Sequence, residues 1–223
     1  APGFFTTSLE NKVPVYFVEH DGYFDREGLY GDDHGDHPDN LKRFMFFNRQ
    51  VFRLLKLLGS PVDVIHCHDW QTGAIPLLLR FEYSKDPFFE QTKTVFTIHN
   101  LAYQGLFQKE MFGEVGLGPK AMNEGGLYFY GKMSLLRSGI VSSDLVTTVS
   151  PQYAHEIRTP EMGCGMDDVL KARGENFFGI LNGVDYSVWC PEKNPYIAKS
   201  YSSETLGLKA QNKKAILSDS GLT

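Results

Sequence analysis

The chain is poor in cysteine. Cys67, Cys164 and Cys190 are the whole complement of 223 residues, and no CxxC pair occurs. An odd, sparse set of thiols excludes a disulfide framework and reads as a reducing compartment. Long hydrophobic runs are missing too. No apolar stretch approaches the ~18 residues of a membrane-spanning helix. There is no excess of basic residues: the formal net charge is −5. A nucleic-acid backbone is therefore not expected as the main partner, since few cations are available to release its counterions. The phosphate-cradling patterns GxGxxG and the Walker P-loop are absent, as is the GxSxG nucleophile elbow. The chain opens Ala-Pro-Gly, with no initiator Met and no signal-like region. It is expected to be cut from something longer.

What is present is a sizeable hydrophobic fraction, 42%, enough for a substantial core, with aromatics at 13%. Length allows one large domain or two small ones. Thr94 to Ile98 is β-branched and aromatic without polar alternation, and stops abruptly at His99-Asn100. Such a run predicts a strand buried on both faces of a parallel sheet. Val13 to Glu19 predicts a first strand, after the polar turn Glu10-Asn11-Lys12. Asp21 to Asn40 reads as a loop rich in Gly, Asp and His. Asp39 to Leu58 predicts an amphipathic helix, with Pro38 suited to its first turn and Gly59 to its C-cap. Leu41, Phe44, Met45, Phe52, Leu55 and Leu58 form its apolar stripe, and Arg43, Arg49 and Arg53 are spaced for the exposed side.

Val62 to Cys67 predicts a second buried strand ending in His66, His68, Asp69 and Trp70, followed by a helix over Gln71 to Tyr83. Leu101 to Asn123 reads as a long irregular loop, a length usually reserved for function or mobility. Further expectations are a helix at Lys132 to Ser143, a strand at Leu145 to Val149 and a helix start at Ser150-Pro151. A short helix at Met166 to Ala172, a strand at Phe177 to Leu181 and a helix at Ser203 to Leu217 follow. Repeated βα units with short buried strands predict an α/β fold built on a doubly wound parallel sheet. Parallel strands would bring His68-Asp69, His99-Asn100, Ser150 and Asn182 to one rim, where ligands of such sheets sit.

Each of these groups also has a plainer reading. His66, His68, Asp69 and His99 suit a metal by type, yet hydrogen-bonded histidines at strand ends are commoner. The acidic loop around His34 and His37 reads as solvated. Asp69 and His99 could pair as base and orienter, but Cys67 lies inside its strand and no nucleophile completes an acyl-transfer set. A retaining glycosidase needs two close carboxylates, and only Asp69 ends a strand. Asn182-Gly183 alone is a turn dipeptide. Tyr30 alone reads as loop packing. Trp70 could stack on a sugar or anchor the helix start.

Five ordered stretches change that balance: YFDREGLYGDDHGDHPDNLKRF, DVIHCHDWQTG, TIHNLAYQG, LVTTVSPQYAHEI and GILNGVDYSVWCP. Their order and spacing closely resemble those of bacterial glycogen synthases and plant starch synthases, over nearly the whole chain. The resemblance implies a GT-B architecture of two Rossmann-like domains, of which residues 1–223 would be the larger part of the N-terminal, acceptor-side domain. The family's opening strand with its KTGGL loop and its C-terminal nucleotide-binding domain would then lie outside this sequence. LGLKAQNKKAILSDSGL resembles the link toward that second domain.

The activity implied is retaining transfer of glucose from ADP-glucose, or UDP-glucose, to the non-reducing end of an α-1,4-glucan. By the same resemblance His99 would sit against the donor glucose, its side chain on a hydroxyl and its carbonyl facing the anomeric carbon. Asp69 would lie near the acceptor hydroxyl, Tyr30 on the acceptor side, and Asn182 against the donor sugar. Asn100 is placed by adjacency to His99. No metal, cofactor, membrane or nucleic acid is called for. A bacterial cytoplasm is expected, or a plastid for a plant protein. The competing readings are a related glycosyltransferase with another donor and a non-catalytic glucan-binding module.

Overall fold

A computed structural model describes residues 3–9 and 12–222. The chain forms two compact units, Ala1–Leu181 and Asn182–Thr223. In the first, the strands Val64–His68, Lys93–Ile98, Leu145–Thr148 and Phe177–Gly179 make a parallel sheet in that spatial order. The α/β expectation is met, with the described strands lying side by side in chain order. Cys67, Phe96, Val146 and Phe177 stand in one register row and are all buried. Leu77 and Leu78 of the helix Ala74–Phe81, and Leu136 and Ile140 of the helix Leu135–Ser142, join the same core. A Cβ at Gly139 would lie 2.4 Å from Phe96 Cε2, so only glycine lets that helix settle on the sheet.

The Lys93–Ile98 strand is buried on both faces, as its unbroken apolar run predicts. Val64–His68 differs from expectation. It is the edge of the sheet and its burial alternates: Ile65 and Cys67 are inside, while His66 and His68 are exposed and Val64 is 50% exposed. Among the described residues its second face is the less covered one.

Other differences have local causes. The expected first strand forms at Pro14–Glu19, but it pairs antiparallel with Gly3–Ser8 in a separate ribbon. Of the turn before it, Glu10 and Asn11 lie outside the described residues; Lys12 donates to the Leu9 carbonyl at 2.8 Å. The helix expected from Lys132 begins only at Leu135. Ser134 takes the N-cap, accepting from Arg137 N at 3.1 Å, and Lys132–Ser134 becomes a strand pairing with Leu106–Gln108 and Tyr128–Phe129. The 101–123 segment is accordingly not irregular throughout. It holds the Leu106–Gln108 strand, a 3₁₀ stretch at Lys109–Val115 and a helical turn at Lys120–Asn123. The helix expected from Gln71 starts as a 3₁₀ turn, Trp70–Thr72, and is α-helical over Ala74–Phe81.

The long helix runs from Asn40 to Leu58, with Asp39 as N-cap, Pro38 just before it, and Gly59 closing it at φ 70°. Arg53 is exposed as expected, Arg49 is partly buried, and Arg43 is only 3% exposed. Arg43 points back under the 21–39 loop. It donates to the carbonyls of Tyr23 (2.7 Å) and Leu29 (3.2 Å) and to Asn40 Oδ1 (2.5 Å). Guanidinium geometry matches such a set of fixed acceptors, which is why a charge can be buried there. The loop itself is a turn of helix at Asp21–Phe24 and a two-residue ladder, Gly31–Asp32 with Gly35–Asp36.

The Ser150-Pro151 helix start forms as expected, Ser150 Oγ accepting from Tyr153 N at 2.9 Å. The last strand is Phe177–Gly179. In the second unit, a 3₁₀ turn at Leu206–Leu208 leads into the helix Lys209–Asp219. Asn212 brackets Lys199, accepting its N–H at 2.7 Å and donating to its carbonyl at 2.8 Å. Among the described residues no helix is long and apolar enough to cross a membrane.

Candidate active site

Parallel strands deliver their carboxyl ends to one rim, and three of the four polar strand ends meet there: His68-Asp69, His99-Asn100 and Ser150. Asn182 falls in the second compact unit, where it is exposed. The hydrogen-bonded turn nearest to it begins at Asp185, not at Asn182-Gly183.

The turn after Val64–His68 is tightly specified. Asp69 N donates to the Thr97 carbonyl at 3.0 Å, extending the sheet by one bond. Thr72 Oγ1 accepts from His68 N at 2.6 Å and donates to the His68 carbonyl at 2.7 Å. Asp69 takes φ 54°, ψ −175°, a region where only glycine is at ease. That conformation aims its carboxylate at the neighbouring strand end, where Oδ1 accepts the His99 backbone N–H at 2.8 Å. Asp69 and His99 are thus in direct contact, but through a main-chain amide. The base-and-orienter pairing does not form. The His99 ring meets His68 instead, Nε2 to Nδ1 at 3.0 Å. The His99 carbonyl has no hydrogen-bond partner among the described residues.

Beside this contact lies a cleft of about 640 Å³ lined by Tyr30, Asp69, Trp70, Gln71, Asn100 and Tyr103, among others. Trp70 is 8% exposed and packs edge-on to Phe44, centroids 4.6 Å apart. It anchors the floor of the cleft and exposes little of its surface there. Tyr30 is 43% exposed, and its hydroxyl accepts from Gln71 Nε2 at 2.8 Å, so its own O–H remains available as a donor. Asn100 is exposed, with Oδ1 accepting from Ala102 N at 3.0 Å. Tyr103, 67% exposed at the rim, was not singled out by sequence; its only signal was its place in the loop after a buried strand. His68 as the partner of the His99 ring was also missed, although strand alternation already put it on one face with His66.

Although both residues keep exposed surface, partial desolvation of the rings at the rim holds the imidazoles of His66 and His68 below the usual histidine range, and the neighbouring histidines push the same way. Asp69 opposes this at His68. Cys67 is fully buried, and its thiol is pushed up to about 12. It is no nucleophile. Among the described residues no group of three or more His, Cys, Asp or Glu is placed to hold a metal ion. What the site presents is a set of fixed dipoles and polar groups: one oriented carboxylate, one oriented imidazole, an open carbonyl and an aromatic cleft.

The family described as the starch synthase catalytic domain matches residues 3–172. A glycogen synthase of Thermodesulfovibrio yellowstonii is 46% identical over 211 residues, 95% of this chain and 42% of that protein. Glycogen synthase 2 of Geobacter sulfurreducens is 46% identical over 220 residues, 99% of this chain and 46% of that protein. Among solved structures, the catalytic domain of Starch Synthase IV from Arabidopsis thaliana, bound to ADP and acarbose, superposes with a TM-score of 0.77 at 32% identity. It covers all of this chain, which in turn covers 45% of it. The chain spans a little under half the length of the curated relatives it matches. With the matched region taking in the three strand ends that meet at the rim, the chain belongs to the starch synthase catalytic domain family.

Proposed function

We propose that this chain is the N-terminal, acceptor-side part of a glycogen or starch synthase. The whole protein would transfer glucose from ADP-glucose to the non-reducing end of an α-1,4-glucan, with retention at the anomeric carbon. The observation that carries this reading is the Asp69 carboxylate on the His99 N–H at the sheet rim, 2.8 Å away, beside the aromatic cleft. In a retaining transfer, positive charge develops at the anomeric carbon. An unengaged carbonyl held in place by its own residue's N–H stabilises that charge without reorganising. His99 O is such a carbonyl. Its ring would hold a donor hydroxyl, and Asp69 would stand near the acceptor hydroxyl. Tyr30 and the cleft would carry the glucan, with Asn100 beside it; for Asn182 a donor-sugar contact is proposed on the family resemblance alone. The ADP and acarbose bound by the Arabidopsis relative support an adenine-nucleotide donor and an oligosaccharide acceptor. The bacterial relatives support a bacterial cytoplasm over a plastid.

Radiolabelled ADP-glucose and glycogen provide the test in the longer protein. His99→Ala is expected to lower incorporation by roughly 10²-fold to 10³-fold. Unchanged turnover refutes the assignment, and a preference for another nucleotide sugar transfers it to a related enzyme. The cleft is complete within the first compact unit, which favours a second, compatible property. The isolated chain should bind maltooligosaccharide weakly, lose that binding on Tyr30→Ala, and show no turnover.

A further inference from the structure

The row of side chains behind His99 follows one rule. Register pairs His66 with Val95 and His68 with Thr97. Each histidine reaches past its partner to the next residue on the same face of the adjacent strand. His66 Nε2 meets Thr97 Oγ1 at 2.7 Å, and His68 Nδ1 meets His99 Nε2 at 3.0 Å. Thr97 Oγ1 is itself 2.6 Å from Thr147 Oγ1 on the third strand. The His66 and His68 rings lie 4.2 Å apart at 34°, so the second is braced by the first. Neither histidine enters the sugar contacts proposed above.

We propose that His68 is a positioning residue for His99, fixing its ring in one tautomer and one orientation through the imidazole–imidazole hydrogen bond, with His66 and the Thr97–Thr147 hydroxyls as backing. The proposal rests on the reading of His99 as the group that meets the donor sugar.

The chemistry is restrictive. Only one proton fits between two imidazole nitrogens, so one ring donates and the other accepts. If His99 Nε2 accepts, Nδ1 carries the hydrogen and offers a donor to a sugar oxygen. If Nε2 donates, Nδ1 is an acceptor. The tautomer of His68 decides which, as the second partner of a histidine commonly does. A doubly protonated pair would set N–H against N–H and break the contact. The groups facing His68 are His66, His99 and Asp69. Burial and then the two histidines disfavour its charged form, and Asp69 favours it. The surroundings of His68 thus support the neutral ring that a shared-proton contact needs.

The first experiment needs no substrate. In the nitrogen-15-labelled chain, a coupling across the His68 Nδ1–His99 Nε2 bond is expected, with His99 nitrogen shifts at the extremes of a single tautomer. His68→Phe should draw those shifts toward the two-tautomer average. His68→Asn, whose amide can replace Nδ1 as donor or acceptor, should restore them. Absence of the coupling together with His99 shifts unmoved by His68→Phe overturns the proposal, and the unmodified chain alone supplies the first of these readings. In the longer protein, His68→Phe is expected to lower kcat by ~10²-fold with KM for glycogen little changed, and His68→Asn to recover most of it. The two readings fail separately. An intact nitrogen signature with full turnover in His99→Ala removes the sugar role and leaves the positioning. An inactive His99→Ala with tautomer averaging in the unmodified chain does the reverse.

Discussion

Asp69 occupies a backbone conformation that a side chain pays for, and two substitutions isolate that cost. At φ 54°, ψ −175° the Cβ is crowded by its own peptide groups. Residues held in such glycine-only regions carry ~1–3 kcal/mol of strain. Asp69→Ala keeps the Cβ and the strain but removes the acceptor of the His99 N–H, worth about 0.5–1.5 kcal/mol. Asp69→Gly loses the same hydrogen bond and relieves the strain, while the freer unfolded chain takes back about 0.5–1 kcal/mol. At the middle of each range, about 2 against about 0.8, the glycine variant should be more stable than the alanine variant by about 1.2 kcal/mol. At about 2–4 °C per kcal/mol for a chain of this size, the gap in Tm is roughly 2–5 °C.

Urea titrations of both variants, followed by circular dichroism, give the difference directly. The comparison cancels the hydrogen bond, since neither variant has it. A glycine variant no more stable than the alanine variant would mean that Asp69 is not strained and that its carboxylate is placed by some other means. Asp69→Asn offers a control, because its Oδ1 can still accept from His99 N at the unchanged backbone angle.

Two further outcomes follow from single contacts. Gly105 has φ 56°, and a Cβ there would lie 2.6 Å from Trp70 Cε3. Gly105→Ala should cost about 2–3 kcal/mol through backbone strain and displacement of the indole, seen as a lower Tm and shifted tryptophan fluorescence; an unchanged melt would show that the contact is slack. Asp144 accepts from Thr94 N (2.8 Å) and Thr94 Oγ1 (3.0 Å). Burial pushes its carboxyl up, but these bonds and Lys93 outweigh it and hold the pKa below the ordinary aspartate range. A depressed folded pKa adds stability above the unfolded value of about 3.9 and loses it as pH falls through the folded one. The acid limb of a stability profile should accordingly flatten in Asp144→Asn, and an identical limb would remove Asp144 from the account.

The rim was legible because its signal is local. Apolar, largely β-branched runs that stop near His68-Asp69, at His99-Asn100 and before Ser150 need only their own composition to be read as parallel strands, although the first proved to be an edge strand. What escaped depends on partners distant in sequence. Lys132–Ser134 is too short to show a period of two, and it merges with the helix after it. The spacing of Arg43 gave the right helix but the wrong side, since its acceptors belong to a loop that pattern alone leaves featureless. Gly3–Ser8 carries threonines and phenylalanines of good strand propensity without a clear boundary. The choice between stacking and anchoring at Trp70 was settled by Phe44 and Gly105, and neither is its sequence neighbour.

The same dependence explains how the site keeps its geometry on loops. The two strand-end loops are tied to each other by Asp69 on the His99 N–H and by Gly105 against the Trp70 ring. The second loop is tied in turn to a helix start: Leu136 N donates to the Gln104 carbonyl at 3.2 Å and Leu135 N to the Gly105 carbonyl at 3.1 Å. Ser134 Oγ donates to the same Gln104 carbonyl at 2.9 Å. Amides in the first turn of a helix have no partner within it, so these two satisfy themselves on the loop. Main-chain groups thus hold the loops in place, and the side chains of Tyr103, Asn100 and Tyr30 are left to face the cleft. A scaffold fixed by backbone bonds tolerates change in what it presents, whereas loss of Asp69, Gly105 or Ser134 loosens the frame itself. That asymmetry is why substitutions at the frame should disturb the whole cleft together, and substitutions at Tyr30 or Tyr103 only the surface each one presents to it.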